Sequence, residues 1–126
     1  VEMQKLLSEI GLRQDDVMGI IKFGSRVKGY SRESSDEDIL VITRSEGGEV
    51  IYREGKHIIV ISLQDFIEEV LRASPLVSAV LSGYEIIYAR YPVYFWIERA
   101  SEALRRARSI HVDKGGVHDF ARLGDG

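Results

Sequence analysis

The chain reads as a single α+β (α/β) domain: a mixed sheet of four to five strands with helices packed on one side. Three observations predict it. Short β-rich runs alternate with stretches of helical apolar spacing. The run Asp38 to Thr43 is almost continuously apolar, as a central strand is. Glu49 to Arg53 and Lys56 to Ser62 flank Glu54-Gly55 like the two arms of a hairpin. A length of 126 residues suits one core and no second.

The elements follow in order. Glu2 to Ile10 is a helix with Met3, Leu6, Leu7 and Ile10 on one face, and Gly11 stops it. Val17 to Phe23 is a short apolar strand. Gly24-Ser25 turns the chain, Arg26 to Gly29 is one short helical turn, and Tyr30 to Ser35 is a polar loop before the strand Asp38 to Thr43. After the hairpin, Ser62-Leu63-Gln64-Asp65 resembles a capping box, with Asp where Glu or Gln is usual. The helix it opens carries Leu63, Phe66, Ile67, Val70 and Leu71 on one face. Ser74-Pro75 starts another helix, with Ser as N-cap and Pro as first helical residue, and Gly83 ends it. Tyr84 to Ala89 is the last strand. Pro92 opens a final helix to about Ile110, with Val93, Trp96, Ile97, Ala100, Leu104 and Ala107 at helical spacing. The domain is expected over residues 1–110, and 111–126, with Gly115-Gly116, is expected to be a poorly ordered tail.

Composition narrows the function classes. Hydrophobic residues make up 44% and charged residues 29%, as in ordinary soluble proteins. No run approaches a membrane span, and the charged N-terminal helix does not look like a signal peptide. The absence of cysteine excludes disulfides, thiolate zinc sites and a cysteine nucleophile, and fits a cytoplasmic protein. Asparagine is absent too, and glutamine occurs only at Gln4, Gln14 and Gln64, a thermophile pattern. A net charge of -3 argues against broad nucleic-acid binding.

The stretch from Gly24 to Ile42 carries the chemistry. A Gly-Ser turn stands ten residues ahead of Asp36-Glu37-Asp38, which opens an apolar strand. Gly24 lets backbone approach a phosphate, and Ser25 adds a hydroxyl. Residues two apart on a strand share a face, so Asp36 and Asp38 put two carboxylates on one side, about 7 Å apart at the backbone. Both can reach one divalent cation, whose charge relieves their repulsion. Glu37 alternates to the opposite face. Arg26 and Lys28 either steer a triphosphate or are solvated charges.

Gly24-Ser25, the ten-residue spacer, Asp36-Glu37-Asp38 and the following strand resemble the signature of the DNA polymerase β-like nucleotidyltransferases. Gly24 to Gly29 and Ser34 to Ile39 resemble the minimal nucleotidyltransferases among them, and the likeness runs from Val17 to about Tyr88. The resemblance implies Mg²⁺-dependent transfer of a nucleoside monophosphate, AMP by expectation, from an NTP to an acceptor hydroxyl. It implies phosphate binding at Gly24 and Ser25, which Arg26 and Lys28 would assist as steering charges, and metal binding and catalysis at Asp36 and Asp38. Small members of this kind often act as antitoxins that modify a HEPN-type helical partner protein.

One departure stands against full activity. The family usually has a third carboxylate on a later strand. The matching strand here is His57 to Ile61, and Ile59 takes that place. A two-ion site would then be incomplete, with Glu49, Glu54 and Asp65 as nearby substitutes. The alternatives are a nucleotide- and partner-binding module with little turnover, or a relic that binds no nucleotide. His57, His111 and His118 match no metal-ligand spacing. Tyr91, Tyr94, Phe95 and Trp96 on the final helix are read as core or as a homodimer contact. Arg99, Arg105, Arg106 and Arg108 are read as its solvated basic face.

Overall fold

The computed structural model describes residues 2–24, 37–45, 47–53 and 55–113. The element order is helix α1 (Glu2–Ile10), a 3-10 turn (Gln14–Asp16), strands β1 (Val17–Phe23), β2 (Glu37–Thr43), β3 (Glu49–Arg53) and β4 (Lys56–Ser62), helices α2 (Leu63–Leu71) and α3 (Pro75–Leu81), strand β5 (Tyr84–Ala89) and helix α4 (Tyr91–Asp113). The short helical turn expected at Arg26 to Gly29, the loop Tyr30 to Ser35 and residues 114–126 of the expected tail lie outside the described residues.

Five strands form one mixed sheet in the order β3-β4-β2-β1-β5. β2 and β4 run parallel, and every other pair is antiparallel. β2 and β1 are interior strands with neighbours on both sides, which is why both read as near-continuous apolar runs. Along β2, Ile39 and Val41 face one side while Leu40 and Ile42 face the other, and all four are at most 2% exposed. Burying each such side chain contributes about 1.5–3 kcal/mol.

Each face has its own core. On one side Leu40, Ile42, Ile21 and Phe23 pack with Phe66 of α2, Val80 of α3, and Val93 and Ile97 of α4. On the other side Ile39, Val41, Ile58 and Val60 pack with Leu6 and Leu7 of α1. The expected layer of helices on one side is therefore α2, α3 and α4, and α1 goes to the opposite face. The reason is the two-sided apolar character of β1, β2 and β4, which leaves a second apolar face to cover. The alternation of β1 is interrupted at Gly19, where its pairing with β2 shifts register. A Cβ at Gly19 would stand 3.0 Å from Val93, so the missing side chain lets α4 sit close on the sheet.

Both helix starts read from the sequence are built as expected. The Ser62 hydroxyl accepts the Asp65 N–H at 3.1 Å, and the Ser74 hydroxyl accepts the Val77 N–H at 3.3 Å. Leu71 differs: it is 64% exposed, because the buried stripe of α2 is set by Phe66 and Val70, and Leu71 lies round the helix in its last turn. On α4, Val93, Ile97 and Ala100 are buried and Trp96 packs against the core, while Tyr91, Tyr94 and Phe95 are exposed. Among the described residues no helix is long and apolar enough to cross a membrane.

Candidate active site

β1 and β2 bring the two halves of the signature together. Phe23, the last residue of β1, is the cross-strand partner of Asp38 near the start of β2. Gly24 follows Phe23 with φ of +93°, a conformation that side-chain-bearing residues seldom adopt. It also sits against the Asp38 carboxylate so closely that a Cβ would overlap Oδ2. Both demands, the turn and the close approach, call for glycine at this position. Of the residues assigned from the sequence, Gly24 and Asp38 are thus adjacent. Ser25, Arg26, Lys28 and Asp36 lie outside the described residues.

The Asp38 side chain is partly buried, with 30% of its surface exposed, so it is reachable from solvent. Its Oδ1 lies 3.1 Å from His57 Nδ1. A carboxylate in its ionised form only accepts hydrogen bonds, so the tautomer that makes this bond is the one with a proton on Nδ1. His57 is placed by the parallel pairing of β2 with β4, in which Asp38 and His57 are Cα partners. The Tyr52 ring stacks on His57, with centroids 4.8 Å apart and planes within 2°. Tyr52 and His57 are partners in the β3–β4 ladder, so Asp38, His57 and Tyr52 form a row across three strands.

The opposite face of the same strand ends is structural. Glu37 alternates away from Asp38, as expected, and pairs with Lys22 at 3.3 Å. Lys56 reaches Glu9 of α1 at 3.6 Å. The Glu37 N–H donates to the Gly55 carbonyl at 2.7 Å, which ties the β3–β4 turn to the start of β2. At the far end of the sheet, Arg90 donates its Nε–H to the Tyr88 hydroxyl at 3.0 Å, and that bond holds its guanidinium above the ordinary arginine range.

The strand register bears directly on the third carboxylate. Ile59 is the partner of Leu40, two residues into the sheet from Asp38, and packs against the core beneath α2–α4. Glu49 pairs with Val60, and Asp65 follows Ser62 beyond the other end of β4, so neither neighbours Asp38. Glu54 is outside the described residues. Among the described residues no cluster of three or more His, Asp or Glu could hold a metal ion. The residue missed by the sequence reading is His57. A count of two residues back from Ile59, once β2 and β4 are known to be parallel, would have found it.

The nucleotidyltransferase domain family matches residues 3–101. A Methanocaldococcus jannaschii protein, provisionally named a protein adenylyltransferase, is 32% identical over 129 residues, covering 89% of this chain and 84% of its own. The crystal structure of a nucleotidyltransferase-like protein from Exiguobacterium sibiricum matches with a TM-score of 0.55 at 21% identity, covering 85% of this chain and 42% of that one. A toxin–antitoxin structure with AMP-PNP matches more loosely, with a TM-score of 0.48 at 13% identity over 88% of this chain and 90% of that one. The extent of the family match and the identity to the M. jannaschii protein are what place this chain in the nucleotidyltransferase domain family.

Proposed function

We propose that this nucleotidyltransferase moves an adenylyl group from ATP to a hydroxyl of a protein acceptor. The observation that carries the reading is the meeting of Gly24 and Asp38: a side-chain-free turn against a solvent-reachable carboxylate. The relative named a protein adenylyltransferase supports the choice of AMP and of a protein acceptor. In the reaction the acceptor oxygen bonds to the α-phosphorus, the bond from that phosphorus to the bridging oxygen breaks, pyrophosphate leaves, and the hydroxyl proton is lost to water.

The donor set fits a magnesium ion in one respect: Asp38 offers hard carboxylate oxygens, one of them in the space that glycine leaves open. Asp36 and Asp38 would hold the ion. When bound, Mg²⁺ would neutralise the triphosphate oxygens and so favour departure of pyrophosphate. The chain itself supplies positioning. The Gly24 backbone and the Ser25 hydroxyl receive the phosphates, and Arg26 and Lys28 draw the triphosphate in. We take the acceptor to be a HEPN-type helical partner, on the strength of the sequence resemblance to minimal nucleotidyltransferases.

One observation favours a second reading. Ile59, partly buried, packs against the core beside Leu40, so β4 supplies no carboxylate at that position. A protein that binds nucleotide and partner with little turnover would follow. ATP labelled on its α-phosphate, incubated with the purified chain, Mg²⁺ and the protein encoded by a neighbouring gene, separates the two. Label transfer that disappears in Asp38→Ala establishes the transferase. Binding of Mg-ATP without transfer supports the second reading, and no binding of any Mg-NTP overturns both.

A further inference from the structure

We propose that His57 is a positioning residue of this site: it holds Asp38 by Oδ1 so that Oδ2 is presented toward Gly24 for a divalent cation. The proposal rests on the reading of Asp38 as a metal ligand given above. Carboxylate torsions are broad and roughly two-fold, so an Asp side chain alone does not select an orientation. A single donor fixed at one oxygen does. Here the Nδ1–H of His57 is 3.1 Å from Oδ1, while Oδ2 is the oxygen that a Cβ at Gly24 would overlap. The two oxygens thus have different neighbours, one a hydrogen-bond donor and the other the side-chain-free Gly24.

The donor is itself held. Tyr52 lies flat on the imidazole, on the strand beyond it. The hydrogen bond from Glu37 N–H to the Gly55 carbonyl pins β2 against the β3–β4 turn one residue before Asp38. Backbone pairing therefore fixes where the ring stands, and stacking fixes how it is turned. Partners that hydrogen-bond a ligating carboxylate typically matter about 10–100-fold in metal affinity. In this chain a hydrogen-bond donor stands beside Asp38. It adds no negative charge, as another carboxylate would, and instead orders the one already present.

Titration of the full chain with Mn²⁺ alone, followed by the electron paramagnetic signal of the free ion, tests the assignment. His57→Ala is expected to weaken Mn²⁺ binding about 10–100-fold. His57→Asn, whose amide N–H can reach the same oxygen, is expected to restore most of it. Asp38→Ala sets the scale of full loss. An unchanged affinity in His57→Ala beside a loss in Asp38→Ala overturns the positioning role and leaves the site itself standing. Equal loss in His57→Ala and His57→Asn also overturns it, because the donor then does not matter. Unchanged binding in Asp38→Ala overturns both the site and the role of His57. If His57→Ala does not fold, Tyr52→Leu replaces it: weaker Mn²⁺ binding supports the proposal, and wild-type affinity overturns it.

Discussion

Gly24 lies against the Asp38 carboxylate, with no room for a side chain between its backbone and Oδ2. The contact joins the end of β1 to the start of β2, two segments separated in the chain by the spacer of the signature. It makes the glycine a spatial requirement as well as a conformational one, since its φ is +93°.

Gly24→Ala is expected to damage activity far more than stability. The left-handed backbone costs about 1 kcal/mol in an alanine. The displaced carboxylate is expected to lower transfer about 100-fold, the scale of a misplacement near 1 Å. Thermal unfolding and labelled-ATP transfer measured on the same sample give both numbers. Transfer at wild-type rate would show that the close contact has no part in the reaction.

Asp38→Asn keeps the side-chain shape and an oxygen that can accept from His57, and removes the charge. Stability is expected to fall by about 1 kcal/mol, the scale of weakening one part-buried, charge-assisted hydrogen bond to a neutral one. On the proposed role of Asp38 as a metal ligand, pyrophosphate release is expected to fall at least about 100-fold, because the stabilisation lost with such a ligand is several kcal/mol. Release within a few-fold of wild type would remove Asp38 from the catalytic set.

Gly19 and Val93 offer a packing test away from the site. The Cβ of Gly19→Ala would meet a Val93 methyl at 3.0 Å in a fully buried region. Overpacking of this kind costs about 1–3 kcal/mol. Val93→Ala alone leaves a cavity and is also destabilising. The double variant is expected to be more stable than the sum of the two, with a coupling of at least about 0.5 kcal/mol in a denaturant cycle. Simple additivity would mean that α4 does not rest on Gly19.

Most element boundaries were legible, and the reasons are local. Val17–Phe23, Glu49–Arg53, Lys56–Ser62 and Tyr84–Ala89 have the expected bounds because apolar runs end at turn residues. Ser62 and Ser74 cap helices because a short hydroxyl side chain next to an apolar-periodic segment has few better uses. Placement across the sheet was not legible. The apolar face of α1 is visible in its spacing, but nothing in nine residues says which side of the sheet it covers. Within the site, Gly24 and Asp38 could be read from the signature. His57 could not, because its neighbour depends on which strand lies beside β2 and in which direction it runs. The apolar strand drew attention to Ile59, which faces the same side of the sheet two residues further on.

Ala73 gives a prediction of the opposite sign. Its φ of 49° places a non-glycine residue in the left-handed region between α2 and the Ser74 cap. Ala73→Gly is expected to relieve this strain and stabilise the fold by about 0.5–1 kcal/mol. A lower thermal midpoint than wild type would contradict it.

The in-register pairing of β2 with β4 also acts as an alignment gauge. Sliding β4 by one residue would exchange His57 for Ile58 or Lys56 opposite Asp38. The same slide would turn Ile58 and Val60 away from α1 and expose the wrong half of the strand to each core. An error in the polar row therefore cannot occur without a large loss of apolar burial. Hydrophobic packing on both faces serves as proofreading for the hydrogen bond at the sheet's edge of solvent, and selection for a stable core maintains the geometry of Asp38 at no separate cost.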